Sequence, residues 1–391
     1  MSRRIFVVPC AIFRALAFCC LLVIAAVDVG LSDEQRLDPT AAKADEKEDI
    51  LWYNVQNLNL EGKGWSETSA YYDRFPAKAE GKVRPEVWGL SRNSAGMATR
   101  FITDAPRIHA RWTLTSKNLA MPHMPATGVS GLDLYVRSDA GKWRWLANGR
   151  PADQTNSQQL VAGIPAAEKG REYLLYLPLY NGVSSVEIGI PKANFLAPGP
   201  AYDEGHAKPI VFYGTSICQG GCASRPGMVH TAILGRWLGH PVINLGFSGN
   251  GRMEKEVAEL MAELDAAIYV IDCLPNIGAK EVEERTALLV KILRDAHPKT
   301  PILLVEDRNY TDGFLLTGKR ERNESSQAAL RKEFEKLKAA GAEQLYYLEG
   351  RNLIGDDGEG TVDSSHPTDL GFLRQAEAFY KVLLPILEKT P

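Results

Sequence analysis

Residues 211–222, "VFYGTSICQGGC", run an unbroken apolar segment into Gly214, Thr215 and Ser216, with two adjacent glycines close behind. A strand apolar on both faces is one buried on both faces, as in a parallel sheet covered by helices. Four more such runs follow: "PVINLG" (241–246), "AAIYVID" (266–272), "PILLVED" (301–307) and "QLYYLEG" (344–350). Between and after them lie stretches of helical period, near 227–239, 252–264, 279–296, 321–340 and 368–388. Strands alternating with helices predict an α/β unit over 209–391, a flavodoxin-like doubly wound parallel sheet of five strands.

The upstream half has a different rhythm. Over 50–195 the apolar segments are short and alternating ("ATRFIT", "IHARWTL", "GLDLYVR", "KWRWLA", "YLLYLPL", "SVEIGI"), with turn residues between them. That pattern predicts an antiparallel β-sandwich domain. Residues 196–208 are rich in Pro and Gly and read as a linker. Residues 31–49 are polar and charged and read as a loose leader. In 1–30, Arg3 and Arg4 precede an apolar stretch with small Ala25 and Ala26, the pattern of a secretory signal peptide. Export, to the periplasm or beyond, is the expectation; an uncleaved membrane anchor is the alternative.

In a doubly wound sheet, ligands bind beyond the carboxyl ends of the strands. The polar and glycine residues of the second half gather there: "GTS" with Ser216, "GFSGNG" (246–251), "DCLPN" ending at Asn276, and "DSSHP" with Asp363 and His366. A serine hydroxyl becomes a nucleophile when a base takes its proton. His366 can serve if Asp363, one turn earlier, holds its other ring nitrogen. The anionic oxygen formed on attack needs donors. The Ser216 N–H, a glycine N–H of "GFSGNG" and the Asn276 amide are the candidates. Each piece alone has a plain reading: Ser216 as a helix cap, "GFSGNG" as a tight turn, Asn276 as a loop residue, Asp363 as an Asx-turn residue. Their order along the chain, each at a strand exit, favours chemistry.

These blocks resemble those of the SGNH hydrolases, or GDSL-type esterases. The family's Gly-Asp-Ser-Leu/Ile block falls on Gly214, Thr215, Ser216 and Ile217. Its second-block glycine falls on Gly249, with Gly246 as the alternative. Its third-block asparagine falls on Asn276, and its Asp-x-x-His on Asp363 and His366. Thr215 stands where the family has aspartate, and Leu274 and Ile277 also depart from its third block. "GLDLY" (131–135) resembles the Gly-x-Asp-Leu-Tyr motif of an N-terminal domain found in a subgroup of these hydrolases. The resemblance implies an acyl esterase, acting on acetyl or similar small groups, with carbohydrate as the expected substrate. A serine peptidase and a carbohydrate-binding protein with an inert hydrolase-like domain are the competing expectations. For substrate contacts, Tyr180 and Asn181 of the turn "YNG" and Arg308 or Tyr310 of "EDRNY" are candidates.

Other classes find little support. The formal net charge is -3 and no Lys/Arg tract stands out, so nucleic acid is not an expected partner. "GTSICQGGC" lacks the lysine of a phosphate-binding loop. Beyond the signal segment three cysteines remain, Cys218, Cys222 and Cys273. Cys218 and Cys222 are expected as packed thiols rather than a strained bridge. The seven histidines are scattered in sequence, so neither a metal nor another cofactor is expected.

Overall fold

The computed structural model describes residues 35–389 except 352; the signal-peptide reading of 1–30 lies outside them. The second half is a parallel sheet of β1 (Ile210–Gly214), β2 (Val242–Gly246), β3 (Ile268–Asp272), β4 (Ile302–Val305) and β5 (Leu345–Leu348), in the order β2-β1-β3-β4-β5. Its strands divide two cores by simple alternation. Val211, Tyr213, Tyr269, Ile271, Ile302 and Leu304 enter one; Ile210, Phe212, Ile268, Val270, Leu303 and Val305 enter the other. Helices α3 (Lys255–Met261), α4 (Ala279–Ala296) and α5 (Thr317–Ala339) cover the first face. Helices α2 (His230–Leu238) and α6 (Asp369–Leu387) cover the second. The short α1 (Ser216–Gln219) follows β1 directly.

The first half is a sandwich of two antiparallel sheets. One runs Lys43–Ala44, Ile50–Asn54, Val183–Pro191, Arg107–Leu114, Thr155–Ala162; the other Leu196–Pro198, Ala98–Thr103, Arg171–Tyr176, Leu132–Arg137, Trp143–Gly149. Their inner faces share one core, with Tyr53, Trp112 and Ile188 meeting Phe101, Leu134 and Leu175.

Two expectations need correction. The leader is not loose where it is described: Lys43–Ala44 pairs with Ile50–Asn54, and Asp45 accepts from Trp52 Nε1 (3.0 Å) and Arg111 Nη2 (2.6 Å). Nor is the linker free, because Leu196–Pro198 is an edge strand and Tyr202 donates to Glu61 at 2.7 Å. Both segments are polar and their strands very short, so neither shows an alternating pattern.

The two halves interlock. The segment between Leu60–Glu61 and Ala98–Thr103 leaves the sandwich and packs on β2, the edge of the parallel sheet. Phe75, Val83 and Val87 enter the core of the parallel-sheet half. Arg74, fully buried, donates to the carbonyls of Asn244 (3.0 Å) and Gly246 (2.8 Å) on β2, and to Leu90 (2.6 Å) and Asn93 (2.9 Å). Burial brings its guanidinium down only to about 10, so it remains a cation. An edge strand exposes unpaired carbonyls, and Arg74 satisfies those of β2. Charge-assisted bonds of this kind contribute about 1.5–3 kcal/mol each. Arg74→Leu should therefore lower unfolding stability by at least about 3 kcal/mol, read from denaturant melts; a loss under about 1 kcal/mol would refute the role.

The "GLDLY" stretch forms a second clasp. Asp133, buried in the sandwich, accepts from Arg225 Nη1 (2.8 Å) and the Gly227 N–H (2.8 Å), and Arg225 also donates to the Tyr135 hydroxyl (2.5 Å). A shared core beside β1 joins Ala95, Met124, Val129 and Leu179 of the first half to Ile217, Cys222, Val229 and Phe372 of the second.

Candidate active site

Parallel registry aligns the exits of β1, β2 and β3: Gly214 lies opposite both Gly246 and Asp272. Three loops therefore leave the sheet side by side. After β1 it is Thr215, not Ser216, that caps α1, accepting from the Ile217 N–H at 3.3 Å. Ser216 is the first helical residue, where the backbone N–H has no partner within the helix. Its hydroxyl is thereby left for another partner.

That partner is His366. Ser216 Oγ lies 2.7 Å from His366 Nε2, and His366 Nδ1 lies 2.7 Å from Asp363 Oδ2. The other Asp363 oxygen accepts from the N–H groups of His366 (2.7 Å) and Ser365 (3.1 Å). Burial would raise the Asp363 carboxyl, but these donors hold it below its ordinary value. It stays ionised, and the imidazole keeps its Nδ1 proton toward it. The turn between them is tight, with Ser364 at φ 74°. Ser364 is fixed by Lys319 Nζ on its hydroxyl (2.7 Å) and the Thr311 N–H on its carbonyl (3.1 Å).

The loop after β2 carries Gly249 at φ 69°, exposed, with open space where a Cβ would point. Gly251 is glycine for another reason: a Cβ there would meet the Gly214 carbonyl at 1.8 Å. The neighbouring donors assign the Asn276 amide, after β3, its orientation: with the oxygen toward them, it accepts from the N–H groups of Asn250 (3.0 Å) and Gly251 (3.2 Å). The second and third blocks are thus tied together. Arg84 holds the same loop from the sandwich side, through the Asn250 amide oxygen (2.8 Å) and carbonyl (3.1 Å) and through Glu254.

The expected substrate contacts fare unequally. Tyr180 reaches the centre, its hydroxyl donating to the Ser216 carbonyl at 3.0 Å. Asn181 does not. It is buried, and its amide is satisfied by Ser116, Thr115 and Ser130. Arg308 is also buried, in a bidentate pair with Asp272 and a 2.7 Å bond to Gln375. It ties the end of β3 to the exit of β4 and touches no open site. Cys218, Cys222 and Cys273 are free thiols, and burial pushes the Cys222 thiol up to about 12, leaving it a poor rival nucleophile.

One neighbour had no signal in the sequence. Met121–Met124 is a tight turn closed by paired backbone bonds (3.0 and 3.1 Å), and it sets the His123 ring edge-on to His366 with centroids 5.8 Å apart. Arg84 and His123 come from the first half of the chain, 91 residues or more from the strand exits, so no local pattern marks them.

The comparisons agree with this architecture. The model of the GDSL-like lipase/acylhydrolase family matches residues 207–384, and that of the GxDLY N-terminus of SGNH-hydrolase-type esterases matches 50–196. A crystal structure described as a GDSL-like lipase, from Bacteroides ovatus ATCC 8483, is 38% identical, with TM-score 0.81 over 87% of this chain and 98% of its own. An acetyl xylan esterase (Est2A) from the rumen bacterium Butyrivibrio proteoclasticus shares the fold at 9% identity, TM-score 0.53, over 86% and 99%. So does a family two carbohydrate esterase from Clostridium thermocellum, solved with cellohexaose, at 14% identity, TM-score 0.50, over 74% and 92%. A search of curated proteins returns no significant match. By the two family models and the lipase-like structure, the chain belongs to the GDSL-like lipase/acylhydrolase family with a GxDLY-type N-terminal domain, and is a carboxylic ester hydrolase.

Proposed function

We propose that this hydrolase is an exported serine esterase that removes acetyl or similarly short acyl groups from carbohydrate. The observation that carries the mechanism is the continuous relay from Ser216 through His366 to Asp363, with both links at 2.7 Å. Ser216 Oγ attacks the ester carbonyl while His366 Nε2 takes its proton. His366 then returns that proton to the leaving alcohol, and an acyl-Ser216 remains. Water, deprotonated by His366, attacks the acyl carbon; His366 returns that proton to Ser216 Oγ as the acyl–serine bond breaks, and the acid is freed. Asp363 stabilises the imidazolium that forms in each half. The Ser216 and Gly249 N–H groups and the Asn276 NH2 receive the oxyanion; none of these steps uses a metal.

Binding the Asn276 oxygen to Asn250 and Gly251 supports the oxyanion role, because it turns the NH2 away from the loop. Asn276→Ala should lower kcat about 100- to 1000-fold with little change in KM, since the charge develops only in the transition state. A stable variant with near-normal kcat would leave the hole to the two backbone N–H groups.

Sugar as the alcohol is supported by the fold shared with the two carbohydrate esterases. Export rests on the basic and apolar pattern of 1–30; among the described residues no helix is long and apolar enough to cross a membrane. A panel of acetylated oligosaccharides, p-nitrophenyl esters of increasing chain length and peptides tests the substrate class. Acetylated sugars should give the highest kcat/KM. Faster cleavage of long-chain esters or of peptides would overturn the proposal.

A further inference from the structure

We propose that His123, Cys222 and His366 form an inhibitory site for Zn2+ that switches the esterase off by occupying its general base. The sequence separates these residues by 99 and 144 positions. The fold brings one ligand atom from each within 4.8 Å of the other two. Two imidazoles and a thiolate are a donor set that zinc favours over magnesium or calcium.

Each ligand is held by a different element. His123 is exposed at the tip of the Met121–Met124 turn, and buried Met124 anchors that turn in the shared core. Cys222 lies in the same core, beyond α1. His366 is set by Asp363. Bonds of about 2.0–2.1 Å to nitrogen and 2.3 Å to sulfur would put tetrahedral ligand atoms roughly 3.5 Å apart. The cluster must therefore contract by about 1 Å, and exposed His123 is the side chain free to move.

His366 would give Nε2 to the metal and keep Nδ1–H on Asp363, an arrangement in which a carboxylate orients a zinc-bound histidine. The Cys222 thiol loses its proton to solvent as the Zn–S bond forms, so the charge of the site rises by one for each ion bound. Ser216 Oγ loses its acceptor and no base remains to take its proton. The fourth position is left to solvent; zinc here is an inhibitor because it occupies His366, the base on which the proposed reaction depends.

The inhibitory consequence rests on His366 being the base, and the test separates the two ideas. On metal-free full-length protein, saturating Zn2+ should abolish ester hydrolysis and EDTA should restore it. Co2+ should give a thiolate-to-cobalt charge-transfer band that is lost in Cys222→Ser. His123→Ala, an exposed change, should raise the Zn2+ concentration that halves its own metal-free rate at least ~100-fold, beyond the ~10–100-fold typical of losing an outer partner. Inhibition of both variants at the wild-type zinc concentration, or a missing cobalt–thiolate band, would overturn the site and leave the esterase reading standing. A cobalt–thiolate band with undiminished hydrolysis would overturn the proposed switch, because the ion bound at Cys222 would then leave the general base free.

Discussion

Ser216→Ala is expected to lower kcat about 10⁴- to 10⁶-fold. The hydroxyl is the only atom removed. Thr215 still caps α1, and the Ser216 carbonyl still accepts from the N–H groups of Gly220 and Gly221 and from Tyr180. Thermal stability should therefore stay near wild type. A fluorophosphonate should label the native protein once, at Ser216, and leave the variant unlabelled. In the proposed relay Ser216 and His366 act as one unit, so the double variant Ser216→Ala/His366→Ala should be hardly slower than either single one. Label on another serine, or a double variant much slower than both singles, would dismantle the relay.

The strand exits were the legible part of this protein. Continuous apolar runs marked β1 to β5, and the polar residues at their ends marked where a site would form. The spacing of Asp363 and His366 is local, so one turn suffices to bring them together. What spacing does not specify is which way an exit residue faces. Arg308 leaves β4 at the functional edge, yet it turns back to the Asp272 carboxylate, the nearest buried charge. Asn181 sits beside Tyr180 in one turn, but neighbours in a turn point apart; only Tyr180 faces Ser216. Arg74, Arg84 and His123 were illegible for a different reason. Their partners lie in the other half of the chain, and a lone arginine or histidine in a loop has no periodicity to betray it. The interface between the halves, and with it the support of the second block, exists only in three dimensions.

Asp363→Asn should lower kcat about 10⁴-fold while leaving the loop folded, and it separates two readings of Asp363. As an Asx-turn residue, Asp363 needs only one oxygen to accept from the Ser365 and His366 N–H groups. Asparagine keeps that oxygen, and by this reading the change is harmless. As the partner of His366, it must also offer a second acceptor to Nδ1–H. Asparagine presents an NH2 there instead. The imidazole then answers by moving its proton to Nε2, where it faces Ser216 and cannot accept. The wild-type carboxylate is held below its ordinary value, so its contribution to stability is present above the unfolded carboxylate range and is lost as pH falls through that lowered value. Through neutral pH it therefore remains charged, and kcat/KM should show no ionisation of this carboxylate there. The measurement is kcat for wild type and Asp363→Asn with matched melting curves. An unchanged melting temperature with a 10⁴-fold slower rate assigns the charge to catalysis, whereas a variant within about tenfold of wild type would mean that His366 takes its tautomer from some other group.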